Sequence, residues 1–536
     1  MPTRVVVAIA LASLALAALV LLPGLGTPPP WDPDEGRHAE IARELAVATP
    51  PGGWLLPTLD GTPYRRKPVL YYWLAAAALT TGGVEIGMAR LPSTLAAIAI
   101  VAITGACGAA WWGPLAGMSA ATVLTTAAGF ALVARLASPD MTFALWITFG
   151  VVALRAGLRA LPRRTALVPA ALAAGLGTLT KGFAAPLVIA LVAVVEAALT
   201  RRLALLHARP LLVAGGAVLA STLPWMVAVA VLDPPYLPQL VLREHVQRFF
   251  APTTSLHPRS ALLYLPVLLV GFLPWSLLLP AALRAARPLG ADAPARFCAA
   301  WATIVVALFS LSSGKQAIYV LPALPPLALL VGRALAGWLS DARGLPPLAQ
   351  LGLGLAALGC IVAPPIALVA ATWTYDGRLA PAAWLAWGAI PAGILVLWLL
   401  TRRRDAAALA ALALAMAAGL HVFHTVALPR LADVVSMAPL AAAARAHVPP
   451  DANVPIVAYE IRAASLSFAL ERPVRHLHRP RQIARLRVRH PLVLVATTRR
   501  HRDVLDRAGP WYVWWEGPRR LLLGSVPRPT AAPGTP

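Results

Sequence analysis

The chain is poor in three things at once: cysteine, acidic side chains and lysine. Its three cysteines, Cys107, Cys298 and Cys360, each lie inside an apolar run. There they read as small buried hydrophobes, which excludes a disulfide framework and a cysteine-based metal centre. Only 22 of the 536 residues are acidic and 13% are charged, against 59% hydrophobic residues and a mean hydropathy of +0.71. Many apolar runs reach ~20 residues, the length that crosses the hydrocarbon core of a bilayer. A soluble globular chain is excluded, and a mainly α polytopic membrane protein is expected. The run at 5–22 has no small-residue cleavage site behind it and further spans follow, so it reads as a retained first helix and not a signal peptide. A glycine-rich loop of the kind that cradles nucleotide phosphates is also missing.

What is abundant is arginine. The net charge of +24 comes mostly from arginines in short loops and in the C-terminal segment, a distribution that fits anionic lipid or phosphate as the partner and no nucleic acid. Apolar runs and breakers predict about thirteen spans, near 5–22, 91–110, 115–133, 141–160, 166–180, 183–199, 210–232, 261–283, 296–312, 317–338, 347–372, 381–400 and 406–426. With that count, Arg163-Arg164, Arg201-Arg202, Arg284/Arg287 and Arg402-Arg403-Arg404 share a side with Arg4, and the positive-inside rule makes that side cytoplasmic. The expected location is the cytoplasmic (inner) membrane, multi-pass, with the N-terminus inside. Residues 31–68, 138–140, 233–260, 313–316 and everything after about 427 then face outward. Apolar 69–82 follows Pro68 and is too short to span, so it is expected as an interfacial or re-entrant helix.

The membrane domain is thus 1–426, with outer loops 31–68 and 233–260. Residues 427–527 change character and predict a small extracytoplasmic α/β domain. Strands are expected in "NVPIVAYE" (453–460) and "HPLVLVATT" (490–498), and a short helix in "AASLSFALE". The end, 528–536, reads as a disordered tail.

Among 46 basic residues only Lys67, Lys181 and Lys315 are lysines. An ammonium and a planar guanidinium are not interchangeable, so these exceptions are informative. All three fall at predicted outer ends of membrane helices. Snorkelling is the plain reading; the sharper one is that they hold an anionic head group as point charges on phosphate. The charges of "WDPDEGRHAEIARELA" (31–46) stand at the same face. Pro33 suits a helix start, and the spacing of Glu35, Ile41 and Leu45 predicts an amphipathic helix in the outer interface, with Asp34 and Glu35 at its first turn. A solvated helix start with favourable dipole charges is the alternative.

"DPDEGRHAEIARELA", then "WLLPTLDGTPYRRKPVLYYWL" and "ARLPSTLAAI" (89–98), resembles the first outer loop of bacterial lipid A 4-amino-4-deoxy-L-arabinose transferases and the wider protein O-mannosyltransferase-like family of GT-C glycosyltransferases. The likeness continues in order through "SPDMTFALW" (138–146), "TLTKGFAAPL" (178–187), "PWMVAV" (224–229), "REHVQRFF" (243–250) and "SSGKQAIYVLPALPPLALLVG" (312–332). It covers roughly the first 340 residues. It implies a GT-C helical bundle, an outer-face active site and a sugar donor on a polyprenyl phosphate. The essential aspartate of the family's Asp-Glu pair carries onto Asp34, the acidic residue opening the fourth span onto Asp140, and the lysine that meets the donor phosphate onto Lys67. Lys181 and Lys315 match further family positions. Where many arabinose transferases read Tyr-Phe-Glu-Lys-Pro, this chain has Tyr64-Arg65-Arg66-Lys67-Pro68. Arginine cannot replace the glutamate as a metal ligand, which puts in doubt a divalent metal held with His245 or His257.

The expected site therefore comprises Asp34, Glu35 and Asp140 for catalysis, and Lys67, Arg37, Lys181, Lys315 and Tyr319 for the donor phosphate. His245, Arg248 and Tyr64 are placed on the acceptor or loop side. The expected partners are a polyprenyl-phosphate sugar, an envelope lipid, glycan or protein acceptor, and the bilayer itself. A lipid or sugar transporter is the opposing class; against it, no repeat is detectable and the charges cluster at one face.

Overall fold

Leucine- and alanine-rich runs with few charges leave the backbone one way to satisfy its hydrogen bonds in lipid, the α-helix. The computed structural model describes residues 2–528 apart from 49–52, 161–162, 164, 202–207, 251–259, 288–291, 375–376, 378, 450–451 and 508. Among the described residues nine helices are long and apolar enough to cross a membrane, and up to eleven if each of two bent pairs is one span. The pairs are Pro114–Thr126 with Ala128–Ala134, bent by 68°, and Tyr264–Gly271 with Trp275–Ala285, bent by 107°. The expected spans at 166–180 and 183–199 become helices of only 14 and 16 residues, Val168–Lys181 and Ala184–Leu199. Every expected span thus has a helical counterpart among the described residues, and the expected count of about thirteen is compatible with nine to eleven long or bent spans plus these two short helices. Gly182 at φ +105° caps one short helix and Phe183 the start of the next, so Lys181 is the last residue of the first, at the turn between them.

One apolar core joins α1 (Thr3–Leu21), the long helix Ile86–Trp112, both bent pairs and Leu324–Ser340. A second joins Pro139–Ala160, the two short helices and Ala293–Leu311. Between them, on the side of the 31–68 loop, lie α2 (Asp34–Val47) and α3 (Leu70–Gly82), the latter only 13 residues.

The C-terminal segment forms a five-stranded mixed sheet. Its strands are β3 (Ile456–Tyr459), β4 (Arg475–Leu477), β5 (Leu494–Thr498), β6 (Tyr512–Glu516) and β7 (Arg520–Gly524), in the order β4-β3-β5-β7-β6; β1 and β2 are a two-stranded hairpin at Thr58–Pro63. β3 pairs in parallel with β4 and β5, and β7 is antiparallel to β5 and β6. All four residues of β3 are buried, because helices cover both faces. Of the tail expected at 528–536, Arg528 is described and the rest lies outside the described residues.

α2 is not the interfacial amphipathic helix expected. Nine of its residues are buried, Glu35, His38, Glu40 and Arg43 among them. Its polar side is covered by the C-terminal domain, whose helix Ala464–Leu470 lies against it. Asp32 accepts hydrogen bonds from the Ser465 backbone N–H at 3.0 Å and from its hydroxyl, and Asp60 accepts from Ser467 Oγ at 2.7 Å and the Val474 N–H at 3.1 Å. A Cβ on Gly36 would stand 2.5 Å from the Ser465 nitrogen, so only glycine admits this approach. The buried Glu40 is satisfied by a bidentate pair with Arg43 at 2.7 and 2.8 Å.

Candidate active site

Pro33 precedes the first turn of α2 and Asp34 occupies it. Asp34 is largely exposed and pairs with Arg37 one turn on. Both face a polar cavity of 710 Å³ that also receives Lys67, Asp140, Lys181 and Arg248. A second, mainly apolar cavity of 320 Å³ opens beside it, lined by Phe143, Leu187, Phe249, Leu308, Phe309 and Tyr319 among others. The two share Lys67, Asp140, Lys181, Glu244 and Arg248. An apolar groove and a polar chamber therefore meet at a ring of charges, the arrangement a lipid carrying a charged head group requires.

Each charge at the junction is held by a different element. Asp140 opens the helix Pro139–Ala160, where a carboxylate is favoured by the helix dipole, and is bonded by Lys181 and the Ser138 hydroxyl. The Lys181 ammonium also lies 4.6 Å from the centroid of the Tyr319 ring. Lys67 is fixed through its backbone, whose carbonyl accepts from Tyr236 Oη at 2.7 Å. Arg65 ties the same loop to Asp233 at 2.6 and 2.9 Å. Burial, then the neighbouring charges of Lys181 and Arg248, push the Lys67 ammonium down to about 7. Arg248, just past the π-helical turns Gln239–Gln247, pairs with Glu244 on them at 3.2 Å; such turns are frequent at functional sites. Tyr64 is buried and stacks edge-on to Tyr72, with the Arg37 guanidinium 6.0 Å from its ring.

Two of the expected residues take other roles. Glu35, expected as catalytic, is an anchor: its carboxylate holds Arg90 at 2.7 and 3.0 Å and accepts the Trp31 and Ala137 N–H groups at 3.0 and 2.9 Å. It lines the polar cavity too, but these four donors occupy its acceptor sites. Lys315, expected on the phosphate, is buried and donates to the Ser312 carbonyl. His245, expected on the acceptor or loop side, takes the loop role: Nδ1 lies 2.6 Å from the Leu240 carbonyl and Nε2 3.3 Å from the Lys181 carbonyl. A Cβ on Gly182 would fall 1.7 Å from its Nε2, and burial lowers its pKa. A neutral imidazole has one N–H and donates to only one of these carbonyls, the other being a close contact; the ring braces two loops and belongs to no cluster of three ligating side chains among the described residues. His257 lies outside the described residues. The carboxylates that do gather among the described residues, Glu40, Glu44 and Asp60, are the ones that fasten α2.

Two residues were not anticipated. Arg462, from the C-terminal domain, lines the polar cavity beside Arg66; both are exposed to it, and neither has a hydrogen bond or ion pair among the described residues. Nothing local marks Arg462 among the many arginines. His38, also on the cavity wall, is buried with Nδ1 2.9 Å from Tyr72 Oη, and burial holds its pKa well below normal.

No family model matches the chain. Over 96% of its length it superposes on 98% of the crystal structure of ArnT from Cupriavidus metallidurans bound to undecaprenyl phosphate, with a TM-score of 0.79 and 23% identity. The apo structure of the same protein superposes equally well. The chain is a multi-pass membrane protein of the GT-C fold. In sequence it is similar to the undecaprenyl phosphate-alpha-4-amino-4-deoxy-L-arabinose arabinosyl transferase of Pseudomonas aeruginosa (strain UCBPP-PA14), 36% identical over 346 residues, which are 62% of this chain and 61% of that protein. The transferase of the same name from Edwardsiella ictaluri (strain 93-146) is 32% identical over 364 residues, 65% of this chain and 63% of that protein. The match thus spans about three fifths of the length of these curated relatives.

Proposed function

We propose that the protein is a glycosyltransferase that moves a sugar from a polyprenyl phosphate to an envelope lipid or glycan, with aminoarabinose transfer to lipid A as the nearest model. It works at the outer face of the cytoplasmic membrane, the N-terminus inside and the C-terminal domain outside. The observation that carries this reading is the meeting of the apolar groove and the polar chamber at Lys67, Asp140, Lys181 and Arg248. The lipid tail occupies the groove and its phosphate lies at the cations. The acceptor oxygen attacks the anomeric carbon, the bond from that carbon to the phosphate oxygen breaks, and polyprenyl phosphate leaves with the electron pair. Lys67 and Arg248 stabilise the charge growing on the leaving phosphate. Attack from the opposite side inverts the anomeric centre.

Asp34 lies on the chamber side, able to take a proton from a hydroxyl acceptor or, for an acceptor already ionised, to position it through Arg37. Arg66 and Arg462, the unpaired guanidiniums of the chamber, favour an acceptor that carries phosphate or carboxylate. The test is transfer by the purified protein, from undecaprenyl-phosphoryl aminoarabinose to lipid A, read by mass spectrometry together with envelope lipids from cells with and without the chain. Absence of any transferred sugar in both overturns the reading.

Two outcomes are specific to this site. In the donor-free protein Lys67 loses its charge as pH rises through about 7. The KM for donor should therefore climb on the alkaline side, and Lys67→Arg, charged throughout, should flatten the climb; a KM profile identical in both proteins speaks against Lys67 as the phosphate ligand. Arg462→Ala should raise the KM for an anionic acceptor about tenfold, the loss of one charge-assisted hydrogen bond, while leaving the KM for donor unchanged.

A further inference from the structure

A third cavity, of 290 Å³, lies behind the Glu35–Arg90 pair and away from the donor groove, where the chain leaving α1 meets the end of the helix Ala128–Ala134 and the π-helical turns Phe423–Ala427. Its walls are mostly apolar, with Leu25, Leu132, Phe423 and Leu428 among them, and its polar members include Arg90, Arg135 and His424. Arg90 is committed to Glu35. Arg135 has no such partner. It is 5% exposed, its Nη1 donates to the Leu21 carbonyl at the end of α1 at 2.5 Å, and its Nη2 is buried without an acceptor. No carboxylate among the described residues pairs with it. His424 directs Nδ1 to the Leu420 carbonyl at 2.7 Å, which leaves Nε2 for another partner.

A guanidinium is charged at every physiological pH, and a buried charge without a counter-charge costs several kcal/mol. The group whose chemistry answers Arg135 Nη2 is an anion. The cavity's apolar walls, and Leu132 at 39% exposure on an apolar helix that lines it, point to a lipid as the source of that anion. We propose that Arg135 and His424 form a binding site for the phosphodiester head group of an anionic membrane lipid, separate from the donor groove. The lipid enters past Leu132, its phosphate meets Arg135 Nη2, and its glycerol and proximal acyl carbons cover Leu25 and Phe423. A lipid seated there also buttresses Arg90, and through it Glu35 and the start of α2.

The test uses the full-length protein in nanodiscs of phosphatidylglycerol or of phosphatidylcholine, followed by native mass spectrometry and thermal unfolding. Wild type should retain one phosphatidylglycerol at least about tenfold more strongly than Arg135→Gln retains it, and its Tm should be higher in phosphatidylglycerol than in phosphatidylcholine, a difference the variant lacks. Leu132→Trp, which fills the entrance but leaves the guanidinium, should lose the lipid equally and decides the matter if Arg135→Gln fails to fold. Equal retention by wild type and Leu132→Trp, or equal retention of the two lipids by wild type, overturns the proposal. So does a Tm rise given by inorganic phosphate alone with no retained lipid.

Discussion

Asp34→Asn is expected to abolish most sugar transfer, by about 10²–10⁴-fold if Asp34 is the proton acceptor for an attacking hydroxyl. The side chain projects from the first turn of α2 into the polar chamber and is largely exposed there, so the substitution removes a charge without opening a cavity. The fold should survive, and the Tm should stay within about 1 °C of wild type, as for surface changes away from packed features. The measurement is the initial rate of transfer at saturating donor with a parallel thermal melt. Wild-type turnover in this variant would remove Asp34 from the chemistry. Asp140→Asn separates the two carboxylates: it leaves Lys181 without its partner, so donor KM should move more than in Asp34→Asn.

Arg90→Ala should be the most destabilising single substitution outside the apolar cores. Arg90 and Glu35 are 2% and 3% exposed in their side chains, and Arg90 also donates to the Leu25 and Pro28 carbonyls at 2.8 and 2.7 Å. Removing one member leaves a buried, uncompensated charge, at a cost of about 3–5 kcal/mol. That is a large share of the roughly 5–15 kcal/mol that holds a typical folded domain. The double variant Glu35→Gln/Arg90→Met removes both charges and should recover much of the loss. The check is the fraction of protein that stays monodisperse by size-exclusion after heating. Single variants as stable as wild type would contradict the anchoring role of Glu35.

Local chemistry explains why part of this was legible. Apolar runs force helices in lipid whatever their neighbours are, so the runs identified the helices to within a few residues. The scarce lysines pointed to Lys67 and Lys181, and the family resemblance to Asp34 and Asp140, and these four do line one chamber. Lys315 looked the same in sequence, but the turn at Ser312 offers its ammonium a carbonyl, and it stays buried there. Glu35 adjoins Asp34 in sequence, yet on a helix adjacent residues point about 100° apart. Both reach the chamber wall, but only Glu35 meets Arg90, 55 residues away, and that pairing fills its carboxylate while Asp34 stays exposed.

The sequence by itself determined a polytopic helical membrane protein, an α/β C-terminal segment and most of the charged residues where groove and chamber meet, because burial in lipid and helix-end chemistry act over a few residues. Only the tertiary structure decided that α2 is covered by the C-terminal domain, that Arg462 reaches the chamber, that two spans are broken and two are short, and that Arg135 is left with an unanswered charge. Those outcomes depend on which distant groups meet, and a charge takes its role from the partner it finds.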